Sequence, residues 1–285
     1  VEPRDFRFLE RLRVRWSEID AQKIVFNGHY LTYFDTALAG YWRALAVPYA
    51  ESMHALGGDL YVRKATLEYE ASAMYDDVID VGVRCARIGN TSLTFEAVVF
   101  RDGRRLVIGE LVYVFADPAV QRPRPLPAAL RDLLDAYERG EPPVEVRLGS
   151  WDELGTDAMR IRSEVFVDEQ KVPAELEHDE ADAEALHAVA YNRLGAAVAT
   201  ARVLDLGAAA VKVGRMAVRR TLRASGVGRT VLDAVLAAAA ARGAREAVLH
   251  AQTAAAGFYT RAGFVAHGPG FVEAGIDHVE MRRGL

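Results

Sequence analysis

A chain of 285 residues is long enough for two domains, each with its own core. Its 51 % hydrophobic and 26 % charged residues are those of a folded globular protein and exclude a disordered tail or a collagen-like repeat. With 35 Lys+Arg against 40 Asp+Glu the net charge is −5, so no general basic field is available for a phosphate backbone and no nucleic-acid partner is expected.

Val1 to Arg15 alternate charged and apolar residues, and no later apolar stretch reaches the length of a membrane span, so neither a secretion signal nor a membrane partner is expected. Leu12 to Trp16 reads as a short strand leading into a loop through Asp20. From about Gly28 to Ala46, Tyr30, Phe34, Leu38, Tyr41 and Leu45 share one face of a long helix. Four stretches rich in β-branched and aromatic residues follow: Leu60 to Tyr69, Val78 to Ile88, Ser92 to Arg101 and Leu106 to Phe115, with Gly89-Asn90 and Asp102-Gly103 as turns. Cys85, within the second of these, is the only cysteine. It has no disulfide partner, builds no zinc-type ligand cluster and reads as a small core side chain, which fits a reducing cytoplasm and no metal. One long helix with an antiparallel meander is an α+β arrangement.

Pro118, Pro123, Pro125 and Pro127 close this segment, and Pro142-Pro143 follow Gly140. Between the two clusters Leu130, Leu133, Leu134 and Tyr137 recur at helical spacing. The expected organisation is a domain over residues 1–139, a stiff linker over 140–143 and a second domain over 144–285.

In the second segment the strands Ala185 to Tyr191, Ala196 to Leu204 and Val211 to Val218 precede a helix from about Gly226 to Arg242, which Gly243 can end in a left-handed cap. Ala247 to Ala251 reads as a buried strand, Ala254 to Arg261 as a helix, and Phe264 to His267 and His278 to Arg282 as closing strands. Strand, glycine turn, helix and strand in this order give a mixed, partly parallel sheet with a site at its strand ends.

That turn, Arg223-Ala224-Ser225-Gly226-Val227-Gly228-Arg229-Thr230, combines glycines that let backbone N–H groups turn inward with a helix N-terminus, the chemistry that holds a diphosphate. No Gly-Lys-Ser/Thr follows, and the spacing misses G-x-G-x-x-G, which argues against a nucleotide-hydrolysing loop and a dinucleotide fold. Steric relief at an ordinary turn is the alternative reading.

The run Val213 to Val218, Arg223-x-x-Gly226-x-Gly228, Gln252, Phe258-Tyr259 and Gly263-Phe264 resembles the GNAT acyltransferases over Val144 to Leu285. Arg162-x-Glu164-Val165-Phe166-Val167-x-Glu169-Gln170 and Phe271-x-Glu273-x-Gly275-Ile276-x-His278-Val279-x-Met281 bring it closest to the ElaA-like subgroup. The resemblance implies acetyl-CoA as co-substrate and an amine as acceptor. It implies a backbone track at Met216, Ala217 and Val218 for the pantetheine arm, and a pyrophosphate cradle of Arg223, Ser225, Gly226, Val227, Gly228 and Arg229. Tyr259 matches the family's general acid, the phenol that protonates the departing thiolate. Gln252 stands where the family usually carries Asn. Glu175, Glu177, Asp179, Glu180, Asp182 and Glu184 form an acidic run that is either an acceptor wall or a solvated face, and Glu169, His187 and His278 are open candidates for a base.

In the first segment Asp20 stands shortly before a helix start. A carboxylate there can attack an acyl carbon or activate water while free helix N–H groups hold the oxyanion; a turn residue is the plainer account. The stretch Trp16 to Tyr30, the long helix, the Tyr75-Asp76-Asp77-Val78 and Gly89-Asn90-Thr91-Ser92 turns and the exit Arg124-Pro125-Leu126-Pro127 resemble the hotdog-fold acyl-CoA thioesterases related to 4-hydroxybenzoyl-CoA thioesterase, over about Phe8 to Tyr137. The resemblance puts the catalytic carboxylate at Asp20 and the carbonyl-polarising backbone N–H at Asn27, and implies a homodimer or higher homo-oligomer. Lys23 stands where a glycine is common, and Ser72 where a proline is frequent. Phe26, Tyr30, Tyr33 and Phe34 lie near Asp20 in sequence and are expected to supply apolar surface to an acyl group. The expected protein joins thioester hydrolysis to acetyl transfer; the alternative is a transferase whose hotdog half is a non-catalytic dimerisation or CoA-binding module.

Overall fold

Tyr30, Phe34, Leu38 and Tyr41 form the buried stripe of a helix of 16 residues, α1 (His29–Ala44). A five-stranded antiparallel sheet curls around it: β1 (Phe8–Arg13), β2 (Asp59–Tyr69), β3 (Val78–Ile88), β4 (Ser92–Arg101) and β5 (Arg104–Ala116), in the order β1-β3-β4-β5-β2. Helix and sheet touch closely enough that a Cβ on Gly109 would lie 2.4 Å from the Phe34 ring, and one on Gly40 would lie 2.2 Å from Glu10 Oε2. Glycine at both positions is what admits the helix to this depth. The β4–β5 hairpin turns at Asp102 and Gly103, both at positive φ, as its Asp-Gly sequence requires. Two further helices close the unit, α2 (Tyr49–Ala55) and α3 (Ala128–Glu138). The Glu138 carboxylate accepts the Tyr41 hydroxyl and the Cys85 N–H, which ties α3 to α1 and β3.

The structure, a computed structural model, describes residues 1–177 and 179–285. Two compact units are present, Val1–Pro143 and Val144–Leu285. The fold is α+β: an N-terminal hotdog-like antiparallel sheet and a C-terminal GNAT-like mixed sheet with helices, the classes expected from the sequence.

The second unit runs β6 (Val144–Gly149), α4 (Trp151–Arg162), a wider π-helical turn Ser163–Glu169, the short α5 (Ala174–Glu177), β7 (Leu186–Asn192), β8 (Ala197–Gly207), β9 (Ala210–Val218), α6 (Val227–Ala241), β10 (Glu246–Gln252), α7 (Ala256–Arg261), β11 (Val265–Glu273) and β12 (Ile276–Gly284). Its sheet has seven strands in the order β11-β12-β10-β9-β8-β7-β6. β9 and β10 run parallel and pair only over Ala210–Lys212 and Glu246–Val248, and beyond that point they part. α6 opens after Gly226 at φ +91° and ends before Gly243 at φ +94°, the left-handed positions at which a side chain is strained.

Several elements differ from the sequence reading, which also ends β11 at His267 rather than Glu273. The first strand is Phe8–Arg13, not Leu12 to Trp16, because the inward alternation of Phe8 to Arg13 pairs with Val78–Val83. Residues Trp16–Glu18 instead form a 3-10 turn, closed by Glu18 Oε2 accepting the Arg15 N–H at 2.7 Å. The strand β6, the helices α2, α4 and α5 and the π-helical turn have no counterpart in the sequence reading, although Ser150 and Glu153 form the capping box that starts α4.

Candidate functional site

Where β9 and β10 part, a cleft of about 1060 Å³ opens in the second unit, lined by Met216, Ala217, Val218, Arg223, Gly226, Gly228, Arg229, Gln252 and Tyr259. The expected group of residues meets there because of one local irregularity. Ala217 pairs with Thr200 and Gly214 with Arg202, so Arg215 and Met216 bulge opposite Ala201, and Arg215 takes φ +48°. A bulge withdraws backbone groups from the ladder and turns them toward the cleft.

The two glycines of the turn serve different ends. A Cβ on Gly226 would meet nothing within 4 Å, so the missing side chain leaves open space beside the N-terminus of α6. On Gly228 it would lie 3.2 Å from Val218 Cγ2, so that glycine lets α6 pack on β9. Ser225 Oγ donates to the Leu222 carbonyl at 2.7 Å, and the Val227 side chain is buried under α6. These two residues lie beside the cleft wall rather than on it. Arg229 is engaged by Asp233, with Nε 2.8 Å from Oδ2, and by the Arg261 carbonyl.

Tyr259 stands between the rings of Phe258 and Phe264, at centroid distances of 5.0 and 6.0 Å. Burial pushes its phenol up to about 12, so it holds its proton at neutral pH. Gln252 donates to Gln170 Oε1 at 2.8 Å, a partner in the π-helical turn's C-cap.

The three base candidates separate. Glu169 is taken by Arg223, whose hydrogen bonds hold the carboxyl below its ordinary range. His187 is buried, with Nε2 2.8 Å from the Asp182 carbonyl oxygen, and burial depresses its pKa. His278 lines the cleft, with Nδ1 2.8 Å from the Ile276 carbonyl oxygen.

The acidic run is more than a solvated face, since Glu177 and Asp179 line the cleft. Glu177 and Asp182 are buried, and with Asp179 they hold Arg162, Arg202 and Arg215 in one ion-pair network. Burial raises the Glu177 carboxyl, whereas the Asp182 carboxyl stays below its ordinary value because hydrogen bonds from Arg162 and Arg202 outweigh burial. Arg162, quoted above only as part of a motif, is the wholly buried centre of this network.

In the first unit Asp20 is half-buried and organises a tight turn. Its N–H donates to the Ile24 carbonyl at 2.9 Å, its Oδ1 accepts the Gln22 N–H at 2.7 Å, and its carbonyl accepts the Lys23 N–H at 3.0 Å. Lys23 takes φ +65°, a left-handed backbone position that glycine adopts without strain. Asn27 is exposed just before α1, and its N–H makes no hydrogen bond among the described residues. Its carbonyl accepts the Tyr69 hydroxyl at 3.2 Å.

Sequence reasoning missed Glu18, which anchors this loop. Burial opposes its charge, but hydrogen bonds from Tyr33, at 2.6 Å, and from Arg15 hold its pKa below the ordinary value. The expected aromatic surface is corrected. Tyr30, Tyr33 and Phe34 are buried core, because α1 turns them into the sheet, and Phe26 alone of the four is exposed. The apolar side chains that do lie open beside the turn are Phe26, Tyr69 and Met74. Among the described residues no helix is long and apolar enough to cross a membrane, and no group of three or more His, Cys, Asp or Glu is placed to hold a metal ion.

The family described as Acetyltransferase (GNAT) domain matches residues 148–285, and the one described as Thioesterase superfamily matches residues 22–108. The chain is 39 % identical over 128 residues to an uncharacterized N-acetyltransferase, YjcF, of Bacillus subtilis, a match spanning 45 % of this chain and 90 % of that one. It is 33 % identical over 95 residues to a putative esterase of Aquifex aeolicus, spanning 33 % of this chain and 73 % of that one. An acyl-CoA thioester hydrolase, YbgC, of Escherichia coli is 28 % identical over 123 residues, spanning 42 % of this chain and 89 % of the relative.

Proposed function

This chain belongs to the GNAT acetyltransferases through its second unit and to the thioesterase superfamily through its first, and from that premise we propose a bifunctional enzyme of acyl-CoA thioesters. Residues 144–285 transfer acetyl from acetyl-CoA to an amine, and residues 1–139 hydrolyse acyl-CoA thioesters, with 140–143 as the link. The observation that carries the reading is the cleft between β9 and β10, where a protonated phenol, a bulged strand and a glycine-opened helix N-terminus line one space.

The residues present fit a CoA thioester. The open space at Gly226 and the N–H groups starting α6 suit a diphosphate, and the bulged backbone of Met216 to Val218 suits an amide-bearing arm. Tyr259 gives its proton to the departing thiolate; a phenol held near 12 stays loaded at neutral pH and yields its proton only as the thiolate's charge develops. In the first unit Asp20 attacks the thioester or activates water, the Asn27 N–H holds the carbonyl oxygen, and Glu18 keeps the loop that carries Asp20 fixed on α1 through Tyr33.

The test follows thiol release from a panel of acyl-CoAs, with and without amines, for wild type and Tyr259→Phe. Amine-dependent release that falls by about 10² to 10⁴ in Tyr259→Phe, with acetyl-CoA affinity unchanged, is the expected outcome. Unchanged turnover removes Tyr259 from the role, and no amine-dependent release removes the transferase reading.

A further inference from the structure

Lys212 on β9 and His250 on β10 flank the point where the two strands part, with Lys212 Nζ 3.4 Å from His250 Nδ1. From the end of β11, Glu273 brings Oε2 to 3.2 Å from the same nitrogen. The Phe271 ring meets the imidazole edge-on, at a centroid distance of 4.8 Å. Lys212, His250 and Glu273 line the same cleft as Tyr259. Alternation along β10 puts His250 on the face that carries Gln252, two residues on.

Resting on the reading of this cleft as an acetyl-transfer site, we propose that His250 is its catalytic base and Glu273 the positioning residue that sets the base's tautomer. Lys212 Nζ can only donate and competes for Nδ1 from 3.4 Å, but with the nearer Glu273 carboxylate accepting Nδ1–H at 3.2 Å the lone pair of the neutral ring is left on Nε2, which has no hydrogen-bond partner among the described residues. The same carboxylate stabilises the imidazolium that forms. His278, the remaining candidate, has a backbone carbonyl at Nδ1 and, among the described residues, no carboxylate paired with it.

The neutral amine nitrogen forms a bond to the thioester carbonyl carbon, and the carbon–sulfur bond breaks. The surplus proton on nitrogen goes to His250 Nε2, and the departing thiolate takes the Tyr259 proton. Products are an amide and a thiol; solvent takes the proton from the imidazolium and returns one to the phenolate.

The charges facing His250 fix the direction of each control. Lys212 opposes the imidazolium and Glu273 favours it. Glu280, opposite His250 in the β10–β12 register, adds negative charge shared with Arg282 at 2.8 Å and His267 at 3.4 Å. His278 stacks with the Phe271 ring, at 5.9 Å between centroids.

The experiment uses the full chain with acetyl-CoA and a panel of primary amines, measuring kcat and the pH profile of kcat/KM. His250→Gln is expected to lower kcat by about 10² to 10⁴ with acetyl-CoA affinity unchanged by calorimetry. Glu273→Gln is expected to move the acidic limb to lower pH, with Glu273→Asp restoring it, and Lys212→Met to move it to higher pH. A wild-type kcat and acidic limb in His250→Gln overturn the assignment while leaving the transferase reading intact. If His250→Gln fails to fold, the Glu273 and Lys212 variants decide, and limbs that stay in place overturn it. Wild type that acetylates no amine overturns the transferase reading and this assignment together.

Discussion

The Arg223 guanidinium grips Glu169 at two points, Nη1 and Nη2 each 2.6 Å from a carboxylate oxygen, while its Nε donates to the Val218 carbonyl at 3.2 Å. The residue expected to meet a diphosphate is therefore held by a carboxylate of the π-helical turn. Any phosphate that engages Arg223 must displace Glu169. Glu169→Gln removes the competing charge, and acetyl-CoA is expected to bind about two- to five-fold tighter, the scale of a partly exposed ion pair. Calorimetry at low ionic strength measures it; unchanged or weaker binding removes Arg223 from the cradle.

The Arg162 network borders the cleft through Glu177, Asp179, Arg202 and Arg215. Arg162 is fully enclosed, with Nη1 2.8 Å from Asp182 Oδ1 and Nε on Glu177, and Asp182 also receives Arg202 at 2.8 Å. Arg162→Ala takes a partner from two buried carboxylates, leaving Asp182 to Arg202 and Glu177 to Arg215 alone, and is expected to cost about 3 to 5 kcal/mol in denaturant unfolding. Arg162→Lys keeps the charge but loses the planar fork, and an intermediate loss is expected. A loss below about 1 kcal/mol in Arg162→Ala would mean that the carboxylates find other partners.

Strand and helix identities were legible where side-chain periodicity is strong: Val78–Ile88 and Ser92–Arg101 coincide with the reading residue for residue, and α1 differs by one residue at its start and two at its end. The glycine turn was legible because a left-handed backbone position leaves its mark in the sequence, whereas Tyr259 came only through the family resemblance, and the two line one cleft. His250 and Glu273 were not, since 23 positions separate them and only the pairing of β10, β11 and β12 brings them together. Glu18 was equally hidden. Two residues before Asp20 it reads as one more surface acid, and its burial follows from Tyr33, a full 15 residues later. The aromatic surface failed for a related reason, because proximity in sequence to Asp20 places Tyr30, Tyr33 and Phe34 on the helix face that turns inward.

Lys23 occupies a left-handed backbone position at φ +65°, between the Asp20 cap and the Ile24 carbonyl. A non-glycine residue there costs about 1 to 2 kcal/mol, offset in part by the greater freedom of glycine in the unfolded chain. Lys23→Gly is therefore expected to hold or slightly raise the thermal midpoint, and Lys23→Val to lower it. A clear drop in Lys23→Gly would show that the lysine side chain itself supports the loop.

β2 is the outermost strand of its sheet, hydrogen-bonded to β5 on one side, and most of its 11 residues are exposed, Val62 to 59 %. An edge of this length invites pairing with another chain. A homodimer with β2 against its own copy is expected, and light scattering at micromolar concentration measures it. Val62→Asp with Thr66→Asp places like charges across such a two-fold contact and is expected to split the dimer. A monomeric wild type overturns the expectation, and a dimer that tolerates both aspartates moves the contact elsewhere.

A thioesterase that hydrolysed acetyl-CoA well would drain the co-substrate of the transferase tethered to it, so the first unit is expected to favour larger acyl groups. The surface beside the Asp20 turn supplies the means: Phe26 and Met74 are each 51 % exposed and Tyr69 is 52 % exposed, while Tyr69 also fixes the Asn27 carbonyl. Each methylene buried on the substrate is worth about 0.8 kcal/mol, so a difference of about four carbons gives about two orders of magnitude in kcat/KM. Wild type and Asp20→Asn are compared on acetyl-CoA, medium-chain and aromatic acyl-CoAs, with Tyr259→Phe present throughout to silence the transferase. Asp20→Asn keeps the Gln22 contact through its amide oxygen yet removes the carboxylate, so hydrolysis is expected to vanish without loss of fold. Efficient acetyl-CoA hydrolysis that Asp20→Asn abolishes overturns the discrimination, and hydrolysis of any substrate that survives Asp20→Asn overturns the catalytic assignment. A first unit that hydrolyses nothing is a dimerisation or CoA-binding module, with the apolar surface at Phe26 free to serve that contact instead.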